Sequence, residues 1–447
     1  MQYLKIDLVY LWVNNKDEKW QEKRRYWADK LKISSIRENN DCRFFDNEEL
    51  RFSLRSAEMY APWINKIFII TDNQIPKWLD IKHPKIKIVD HKEILPEDCL
   101  PCFNSEAIET CIANIPDLSE YFLLANDDKF FASNVIPEDF FDKNKNPIVK
   151  MRPLNWSTND IKNCLYKQSY IFTVNTFSSK FATRKDYLKL EPIHCIEAYR
   201  KSYFLECKKI FAKEFAETSQ KKFRMYGSIQ HPIIDMYMLE CKKCNFFEDV
   251  SIQKQELTSH VSNLYLTLGN KNVMHKIIKD KKPKLLCIND SELTLDIHRK
   301  NLPELLQILY PEKQSWETND IISRTQEQPD HKNIFTPNRM EDVYLANILA
   351  ELKRNETVVF WGASLFLENF IQKYSLQLSS IVGIIDINPY KQNQYFGCYK
   401  IYSPKNLAQL NPDKIIISII NSTEERIKEI QEYLAKNNME RIKIETL

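Results

Sequence analysis

One ten-residue stretch, Tyr121–Phe130 (Y-F-L-L-A-N-D-D-K-F), constrains the fold of this chain most strongly. Its apolar run has the length of a buried strand and ends abruptly on Asn126, Asp127 and Asp128. Open α/β sheets bind ligands at the edge where such strands end. Two adjacent carboxylates repel each other unless they share a cation or a proton, and Mg²⁺ is often held by one or two carboxylates together with substrate phosphates. The alternative is an acidic turn that only ends the strand.

Other apolar runs of strand length precede this stretch, and two of them also end on aspartate. Strands are predicted at Ile6–Val13, Lys66–Asp72 and Lys85–His91, with helical patterns between them. Asp72 and Asp90 occupy the same relative position in their strands as the aspartate pair does in its own. The alternation predicts an α/β fold with a mainly parallel sheet. A ligand crevice at one edge of the sheet would produce this repetition.

The composition excludes several classes of protein. The formal net charge is only +3, from 64 basic and 61 acidic side chains, so it gives no reason to expect nucleic-acid binding. Five glycines among 447 residues argue against glycine-rich phosphate loops. Eleven cysteines in a long chain with no signal peptide are typical of reduced thiols in the cytoplasm. No apolar run reaches the roughly 18 to 20 residues of a membrane span, so we expect any membrane attachment to be peripheral.

Three charged side chains near the N-terminus have both a structural and a functional explanation. Asp7 lies inside an apolar run, where a charge is costly unless it is paired with an arginine or used at a site. Arg51 and Arg55 lie four residues apart and share one face of a predicted helix. They could pair with Glu48 and Glu58, or their planar guanidinium groups could bind a phosphate.

Helices are predicted at Trp20–Leu31, Asn47–Tyr60 and Leu100–Ala113. Asn104 or Ser105 is the expected N-cap of the third helix. A helix N-terminus is a ready site for an anion, so both residues are candidates for substrate binding.

Two later features each leave two explanations open. Cys99 with Cys102 and Cys241 with Cys244 have C-x-x-C spacing, which fits either a zinc site or packed and free thiols. The basic stretch Lys271–Lys284 is either a solvated face or a contact for a polyanion or a membrane surface.

Several motifs together resemble those of the Stealth family. I-D-L-V-Y-L-W-V-N-N-K-D, E-L-R-F-S-L-R-S-A-E-M-Y-A-P-W-I and F-N-S-E-A-I-E through L-L-A-N-D-D look like its first two blocks. E-P-I-H at His194, K-K-F-R at Arg224 and K-L-L-C-I-N-D at Asn289 and Asp290 are similar to its third and fourth blocks. The similarity covers residues 5–315 of the chain. The chain departs from the pattern at Cys195, which follows His194 where the family usually has Met-Pro, and in the turn after the first strand, which lacks the common glycine.

The resemblance implies a nucleotide-sugar-transferase-like catalytic domain of the hexose-1-phosphate transferases that build bacterial capsules, a family that includes the lysosomal-enzyme N-acetylglucosamine-1-phosphotransferase. It implies functional roles for a set of polar residues, namely Asp7, Asp127, Asp128, His194, Arg224, Asn289 and Asp290. We assign substrate binding to residues near the strand ends and helix starts, namely Trp12, Asn14, Arg51, Arg55, Asn104 and Ser105.

The implied reaction is phosphoryl transfer. A hydroxyl of an acceptor sugar attacks the phosphorus nearest the sugar of a UDP-sugar, releases UMP and leaves a phosphodiester in a surface polysaccharide. We assign Mg²⁺ (or Mn²⁺) to Asp127 and Asp128, transition-state charge to Arg224, and acid or base work to His194 or Asp7. The expected donor group is N-acetylhexosamine-1-phosphate. The alternatives are a Mg²⁺-dependent glycosyltransferase that releases UDP and a non-catalytic scaffold of a capsule-assembly complex, and we expect a cytoplasmic protein that can contact the membrane or assembly proteins.

The chain is predicted to contain a catalytic domain at residues 1–315, a polar linker at 316–340 and a Rossmann-like α/β domain at 341–447. In the last domain, strands are predicted at Thr357–Gly362, Ile381–Ile387 and Lys414–Ile420, and helices at Leu365–Lys373 and Glu424–Lys436. Gly362 and Asp386 echo the dinucleotide fingerprint, but its other glycines are missing, so a structural or docking role is favoured.

Overall fold

The chain forms two units, each with its own sheet. A computed structural model describes residues 4–33, 43–154, 156, 158–162, 164–181, 189–248, 261–265, 275, 278–280, 282–290, 296–318, 357–363, 367, 381–389, 391–396, 399–417 and 424–446. The first unit comprises Met1–Leu266, Ile278–Glu292 and Arg299–Ile321, and the second comprises Thr267–Ile277, Leu293–His298 and Ile322–Leu447. Half of the basic stretch at 271–284 and most of the predicted helix at 365–373 lie outside the described residues.

The elements are numbered in chain order. The strands are β1 (Ile6–Leu11), β2 (Ile67–Thr71), β3 (Ile86–Asp90), β4 (Tyr121–Asn126), β5 (Lys129–Phe131), β6 (Ile148–Pro153), β7 (Leu190–Pro192), β8 (Glu197–Arg200), β9 (Asn245–Glu248), β10 (Val261–Tyr265), β11 (Leu285–Asn289), β12 (Val358–Trp361), β13 (Ile381–Ile385), β14 (Tyr395–Phe396), β15 (Tyr399–Tyr402), β16 (Lys414–Ile417) and β17 (Lys443–Thr446). The α-helices are α1 (Glu18–Lys30), α2 (Glu49–Tyr60), α3 (His91–Ile94), α4 (Ser105–Glu109), α5 (Thr158–Lys162), α6 (Leu165–Phe181), α7 (Lys201–Ile210), α8 (Ala212–Ser219), α9 (Pro232–Glu240), α10 (Asp296–Leu309), α11 (Leu407–Leu410) and α12 (Glu424–Lys436).

The central sheet of the first unit has the strand order β3-β2-β1-β4-β8. Strands β1 to β4 are parallel, whereas β8 runs antiparallel to β4, with Glu197 opposite Leu124. The carboxyl ends of the four parallel strands and the amino end of β8 therefore meet at one edge, which we name the carboxyl edge. The smaller sheets of this unit have the orders β10-β11-β5 and β7-β6-β9. The predicted α/β fold with a mainly parallel sheet is confirmed.

Both faces of the central sheet are covered, which explains its unbroken apolar runs. All six residues of β1 are buried. Val9 and Leu11 belong to the core on one face, and Leu8 and Tyr10 belong to the core on the other. Successive side chains of a strand point to opposite faces, so a strand between two cores is apolar at nearly every position.

The strand predicted at Tyr121–Phe130 is two strands. β4 ends at Asn126, the chain turns through Asp127 and Asp128, and β5 pairs antiparallel with β11 in another sheet. The Ile288 amide donates to the Asp128 carbonyl at 2.9 Å. This pairing brings the end of the K-L-L-C-I-N-D strand beside the aspartate pair.

The helix predicted within Leu100–Ala113 has its predicted N-cap, Asn104, but is shorter at its carboxyl end, because α4 ends at Glu109. Beyond α4, the Thr110 hydroxyl donates to the Ala107 carbonyl at 2.6 Å, in competition with the helix backbone. The predicted positions of α1, α2 and β1 to β3 agree with the structure within about two residues.

The predicted phosphate grip of Arg51 and Arg55 is wrong, because both guanidinium groups bind Glu317. Arg55 is 1% exposed and donates to the two carboxylate oxygens at 2.6 and 2.8 Å, and Arg51 donates at 2.8 Å. Arg51 also contacts Glu48 at 3.4 Å, as predicted, whereas Glu58 pairs with Lys85. Glu317 follows the buried Trp316, so the first unit extends past the boundary predicted at residue 315.

The second unit contains a sheet with the order β14-β15-β13-β12-β16-β17. Within the run β15-β13-β12-β16-β17, every pair of neighbouring strands is parallel. When these five strands are numbered in chain order, they have the order 3-2-1-4-5 of a doubly wound sheet, as predicted for a Rossmann-like unit. Gly362 follows β12 with φ of +100°, a conformation that favours glycine. The Asp386 carboxylate accepts from the Ala363 amide at 2.7 Å and the Asn388 amide at 2.8 Å. Backbone amides of the chain therefore occupy the Asp386 carboxylate, which would bind the ribose in a dinucleotide site.

We expect Glu317→Ala to lower the free energy of unfolding by about 3 to 5 kcal/mol, because it leaves the buried Arg55 charge without a carboxylate. Urea unfolding followed by tryptophan fluorescence measures this change. Glu217→Ala, which removes an exposed pair with Lys213 at 3.8 Å, is the control and should cost less than about 1 kcal/mol. Equal losses in the two variants would contradict the structural role of Glu317.

The Glu317 contribution should also depend on pH. Burial alone would raise the pKa of this carboxyl, but hydrogen bonds from Arg55 and Arg51 outweigh burial and lower it. The contribution is therefore complete above the ordinary glutamate pKa of about 4.3 and is lost as the pH falls through the lower pKa of the folded state. The stability difference between wild type and Glu317→Ala should shrink only in acid, and a difference that shrinks as the pH rises above 7 would contradict this account.

Candidate active site

The turn between β4 and β5 directs its two aspartates toward different neighbours. Asp127 interacts with Glu49 at the start of α2 and with Asp46 before it. Asp128 lies near His194 and Cys287. The two carboxylates still sense each other's charge. The aspartate pair thus joins two distinct halves of the carboxyl edge.

The first half is an acidic group formed by Asp46, Glu49 and Asp127. Burial, followed by the charges of Glu49, Asp128 and Asp46, raises the pKa of Asp127 well above its ordinary value. Burial and Asp46 raise the pKa of Glu49 to about 8. Among the residues that the structure describes, neither Asp127 nor Glu49 has an ion-pair partner. Carboxyl oxygens are the ligands that a hard divalent cation such as Mg²⁺ prefers, and a bound cation would favour the charged forms of these groups.

In the second half, Asp128 contacts one imidazole and one thiol. Its Oδ2 lies 4.0 Å from His194 Nε2 and 3.6 Å from Cys287 Sγ. Within the described part of the chain, Asp128 Oδ1 and His194 Nε2 have no hydrogen-bond partner. The surrounding protein and the Lys129 ammonium lower the pKa of His194 to about 3, although its side chain keeps 40% of its surface exposed. The imidazole is therefore neutral at physiological pH.

A chain of buried charges lies behind these residues, and we name it the ion network. Lys129, 3% exposed, is 3.6 Å from Glu197, and Glu197 accepts from His231 at 3.1 Å. The other His231 nitrogen lies 2.8 Å from Glu109. Burial alone would lower the pKa of His231, but the two glutamates raise it well above 6.5. His231 is therefore an imidazolium that links α4 to β8.

Arg224 lies on the side of the ion network where α4 begins. Its guanidinium donates to the Ser105 hydroxyl, and its charge acts on the buried Glu106. The Gln230 side chain donates to Glu106 at 3.0 Å and precedes His231 in the chain. Polar contacts, joined through the chain neighbours Gln230–His231 and Asp128–Lys129, thus connect Arg224 to Asp128.

The structure contradicts the predicted catalytic role of Asp7, which lies at the opposite edge of the sheet. Asp7 is fully buried and pairs with Phe122, about 16 Å along β4 from Asp127. Its carboxylate accepts from the Asn65 side chain at 2.7 Å, the Lys66 amide at 3.1 Å and the Ser119 amide at 2.7 Å. Asp7 thus satisfies backbone groups that enter β2 and β4.

The predicted substrate-binding residues have different environments. Trp12 is buried in the core, and the Asn14 side chain accepts from the Lys16 amide at 2.9 Å within its turn. Asn104 caps α4 and also donates to the Lys221 and Phe223 carbonyls, at 3.0 and 3.4 Å. Trp12 and Asn104 therefore have structural roles, which corrects the prediction. Ser105 is beside Arg224, and its role in binding stays a prediction.

Asn289 and Asp290 lie near the aspartate pair, as their motif predicted. Asn289 ends β11, the strand that pairs with the segment after Asp128. Asp290 forms a bidentate pair with Arg299, at 2.7 and 3.0 Å. Its charge is therefore balanced from the start of α10, and its catalytic role stays a prediction.

The zinc site considered for the two C-x-x-C pairs does not form. Cys99 and Cys102 are buried in the core, and burial raises the pKa of both thiols. Within the described ranges, the one group of three or more His, Cys, Asp or Glu side chains close enough to share a metal ion is Asp128, His194 and Cys287.

The helices in the described part of the chain are all too short or too polar to span a membrane.

The sequence analysis missed Lys129, Glu197, His231 and Glu109. Lys129 follows the aspartate pair directly, so its position was a usable signal. Glu109 and His231 are 122 residues apart, and a pair separated that far leaves no local pattern. Glu197 lies at the start of the only antiparallel strand of the central sheet, within the described residues.

Comparisons with known proteins identify the family. Conserved region 1 of Stealth proteins matches residues 4–32, and conserved region 2 matches residues 43–149. Exopolysaccharide phosphotransferase cps2G of Lactiplantibacillus plantarum is 32% identical over 342 residues, which are 70% of this chain and 96% of that protein. Capsular polysaccharide phosphotransferase WcwK of Streptococcus pneumoniae is 30% identical over 346 residues, which are 70% of this chain and 98% of that protein.

Among solved structures, the galactosyltransferase LgtC in complex with donor and acceptor sugar analogues aligns with 70% of this chain and 99% of its own, with 10% identity and a TM-score of 0.34. UDP-D-quinovosamine 4-dehydrogenase from Vibrio fischeri aligns with 21% of this chain and 79% of its own, with 17% identity and a TM-score of 0.17. The sequence relatives are covered almost completely at 30% identity or more. The chain therefore belongs to the Stealth family of phosphotransferase enzymes, as its motifs predicted.

Proposed function

We propose that this enzyme transfers a hexose-1-phosphate, specifically an N-acetylhexosamine-1-phosphate, from a UDP-sugar to a hydroxyl of an acceptor sugar. The reaction releases UMP and forms a phosphodiester in a surface polysaccharide. The observation that carries the proposal is the series of polar contacts from Arg224 through the ion network to Asp128 at the carboxyl edge. Relatives that are phosphotransferases of capsular polysaccharide and exopolysaccharide support it.

Arg224 binds the diphosphate of the donor in this proposal. A guanidinium group offers planar, paired donors that match phosphate oxygens, and it keeps its charge at any physiological pH. Its contact with Ser105 at the start of α4 holds the side chain in place. In this proposal the positive charge of Arg224 stabilises the charge that develops on the phosphoryl oxygens.

His194 is the general base that accepts the hydroxyl proton of the acceptor. Its Nε2 is buried and has no hydrogen-bond partner among the described residues, while 40% of the side-chain surface is exposed. The neutral imidazole is the form that takes up a proton. Asp7, the rival candidate for this role, is excluded by its place at the other edge of the sheet.

The residues present fit a Mg²⁺ or Mn²⁺ ion. Asp127 and the unpartnered Oδ1 of Asp128 offer oxygen ligands, and a bound cation would favour the charged forms of the acidic group. The bound cation would neutralise charge on the diphosphate. We also propose that the enzyme works on the cytoplasmic side of the membrane, where nucleotide sugars are available.

The released nucleotide tests the reaction directly. Purified protein, Mg²⁺, a UDP-sugar panel and a capsule-type oligosaccharide should yield UMP, because attack at phosphorus expels the nucleoside monophosphate. Anion-exchange chromatography separates UMP from UDP. Release of UDP would mean attack at the sugar carbon and a glycosyltransferase, and the absence of either nucleotide with every donor would favour a scaffold.

Asp128→Asn should lower kcat by about 10²-fold or more, because it removes charge at the reacting centre and keeps the shape of the side chain. The control is Asp7→Asn, which removes charge at the opposite edge of the sheet. This variant should lose stability but keep its rate per folded molecule, since Asp7 contacts only backbone and Asn65. Equal loss of kcat in correctly folded Asp7→Asn would contradict the location of the centre.

Arg224→Lys should lower kcat more than it raises KM, since a lysine cannot reproduce paired donation to the phosphoryl oxygens. We expect a loss of about 10²- to 10³-fold in kcat. Arg200→Lys is the matched control, because Arg200 pairs with Glu120 at 2.9 Å on the outer strand β8. A change confined to KM would instead assign Arg224 to ground-state binding.

A further inference from the structure

We propose that Asp128, His194 and Cys287 form a binding site for one Zn²⁺ ion, and that Zn²⁺ bound there inhibits the enzyme. The binding site is argued from geometry alone. The inhibition rests on the proposed function, in which Asp128 and His194 take part in phosphoryl transfer.

The three ligand atoms are already spaced almost as a tetrahedral zinc ion requires. With bonds of about 2.3 Å to sulfur and about 2.1 Å to nitrogen and oxygen, tetrahedral zinc separates S from O by about 3.6 Å and N from O by about 3.4 Å. Cys287 Sγ and Asp128 Oδ2 are 3.6 Å apart, and His194 Nε2 and Asp128 Oδ2 are 4.0 Å apart. All three ligand atoms lie within 4.8 Å of one another. A small movement of the imidazole completes the geometry.

Two atoms beside this space lack a hydrogen-bond partner within the described part of the chain, namely His194 Nε2 and Asp128 Oδ1. The Cys287 thiol is fully buried and donates to Asp128 Oδ2, and the Lys129 and Cys195 side chains also act on its charge. Three protein ligands leave a fourth position open for water or a phosphate oxygen, which is the arrangement of accessible zinc sites.

The donor set distinguishes this site from the Mg²⁺ site of the proposed function. Mg²⁺ prefers oxygen ligands, whereas one sulfur, one nitrogen and one oxygen suit Zn²⁺ and similar transition metals. Cysteine binds zinc as the thiolate, so binding transfers the Cys287 proton to the solvent. No oxidation or reduction occurs. The His194 side chain keeps 40% of its surface exposed, although its Nε2 atom is buried.

Occupancy would remove two groups from the reaction. A zinc-bound Nε2 has no lone pair left to accept a proton, and a zinc-bound Asp128 is less available to a second cation. Zn²⁺ is therefore expected to inhibit even when Mg²⁺ is in excess.

The binding test uses the full chain with Co²⁺ and Zn²⁺ alone. Titration with Co²⁺ should produce one equivalent of a thiolate-to-cobalt charge-transfer band, which Zn²⁺ then displaces. Cys287→Ser should abolish the band and weaken Zn²⁺ binding by at least about 100-fold. Cys241→Ser, which changes an exposed thiol, is the matched control and should keep both. A band that survives in Cys287→Ser, or no stoichiometric binding by a folded wild-type chain, would overturn the proposal.

The inhibition is measured as the ratio of rates with and without Zn²⁺ in each variant at fixed Mg²⁺. The rate with Zn²⁺ should be about one tenth or less of the rate without Zn²⁺ in wild type and in Cys241→Ser. The two rates should be nearly equal in Cys287→Ser. His194→Asn provides a second binding variant if Cys287→Ser does not fold. If the enzyme is active and binds Zn²⁺ without being inhibited, the inhibitory role alone is overturned. If the protein binds Zn²⁺ but has no transferase activity, the proposed function is overturned and the zinc site is not.

Discussion

The carboxylate of Glu197 is the group on which the arrangement of the carboxyl edge depends. Glu197 lies at the start of β8 and accepts from His231, the residue before α9. It also lies beside Lys129, which follows the aspartate pair, so it joins three parts of the chain. His231 extends the connection to Glu109 in α4. Burial alone would raise the pKa of Glu197, but His231 and Lys129 lower it to about 2, so the carboxylate stays charged. Removing one member of such a buried network leaves a charge without compensation, which is costly.

The aspartate pair lies between two groups of charged side chains. Arg224, His231 and Lys129 lie on one side together with the carboxyls that they contact or act on, and the acidic group lies on the other. In the proposed function, phosphate oxygens of the donor bind Arg224 and its divalent cation binds the aspartates. Burial, together with the Lys129 charge, keeps the neighbouring His194 neutral. In the proposed function, His194 lies beside both groups and accepts the proton of the acceptor hydroxyl.

Much of this arrangement was accessible from sequence because it depends on local patterns. The apolar runs of β1 to β4 identified the parallel sheet, and their acidic ends identified the edge where Asp127 and Asp128 lie. The helix at Leu100–Ala113 was overestimated because apolar spacing does not register the competition at Thr110.

The errors concern charges whose partners are distant in sequence. Arg55 binds Glu317, 262 residues away, and Asp7 binds the Ser119 amide, 112 residues away. Neither partner could be identified without the fold, so a buried structural charge had the same signature as a functional one. Cys287 is a residue whose proposed functional role, and not its structural role, depends on a distant partner. Its neighbour Asp128 lies 159 residues earlier, and nothing near Cys287 in the sequence suggested a metal. Long-range pairing decides which charged residues are free for chemistry.

The central claim is that the donor binds at the carboxyl edge of the five-stranded sheet. A crystal structure of the enzyme with UDP-N-acetylglucosamine and Mg²⁺ tests it most directly. The account predicts that the diphosphate contacts Arg224 and that the cation contacts Asp127 or Asp128, with the sugar toward His194. A diphosphate bound in the crevice of the second unit, or at the edge of the first unit where Asp7 lies, would contradict it.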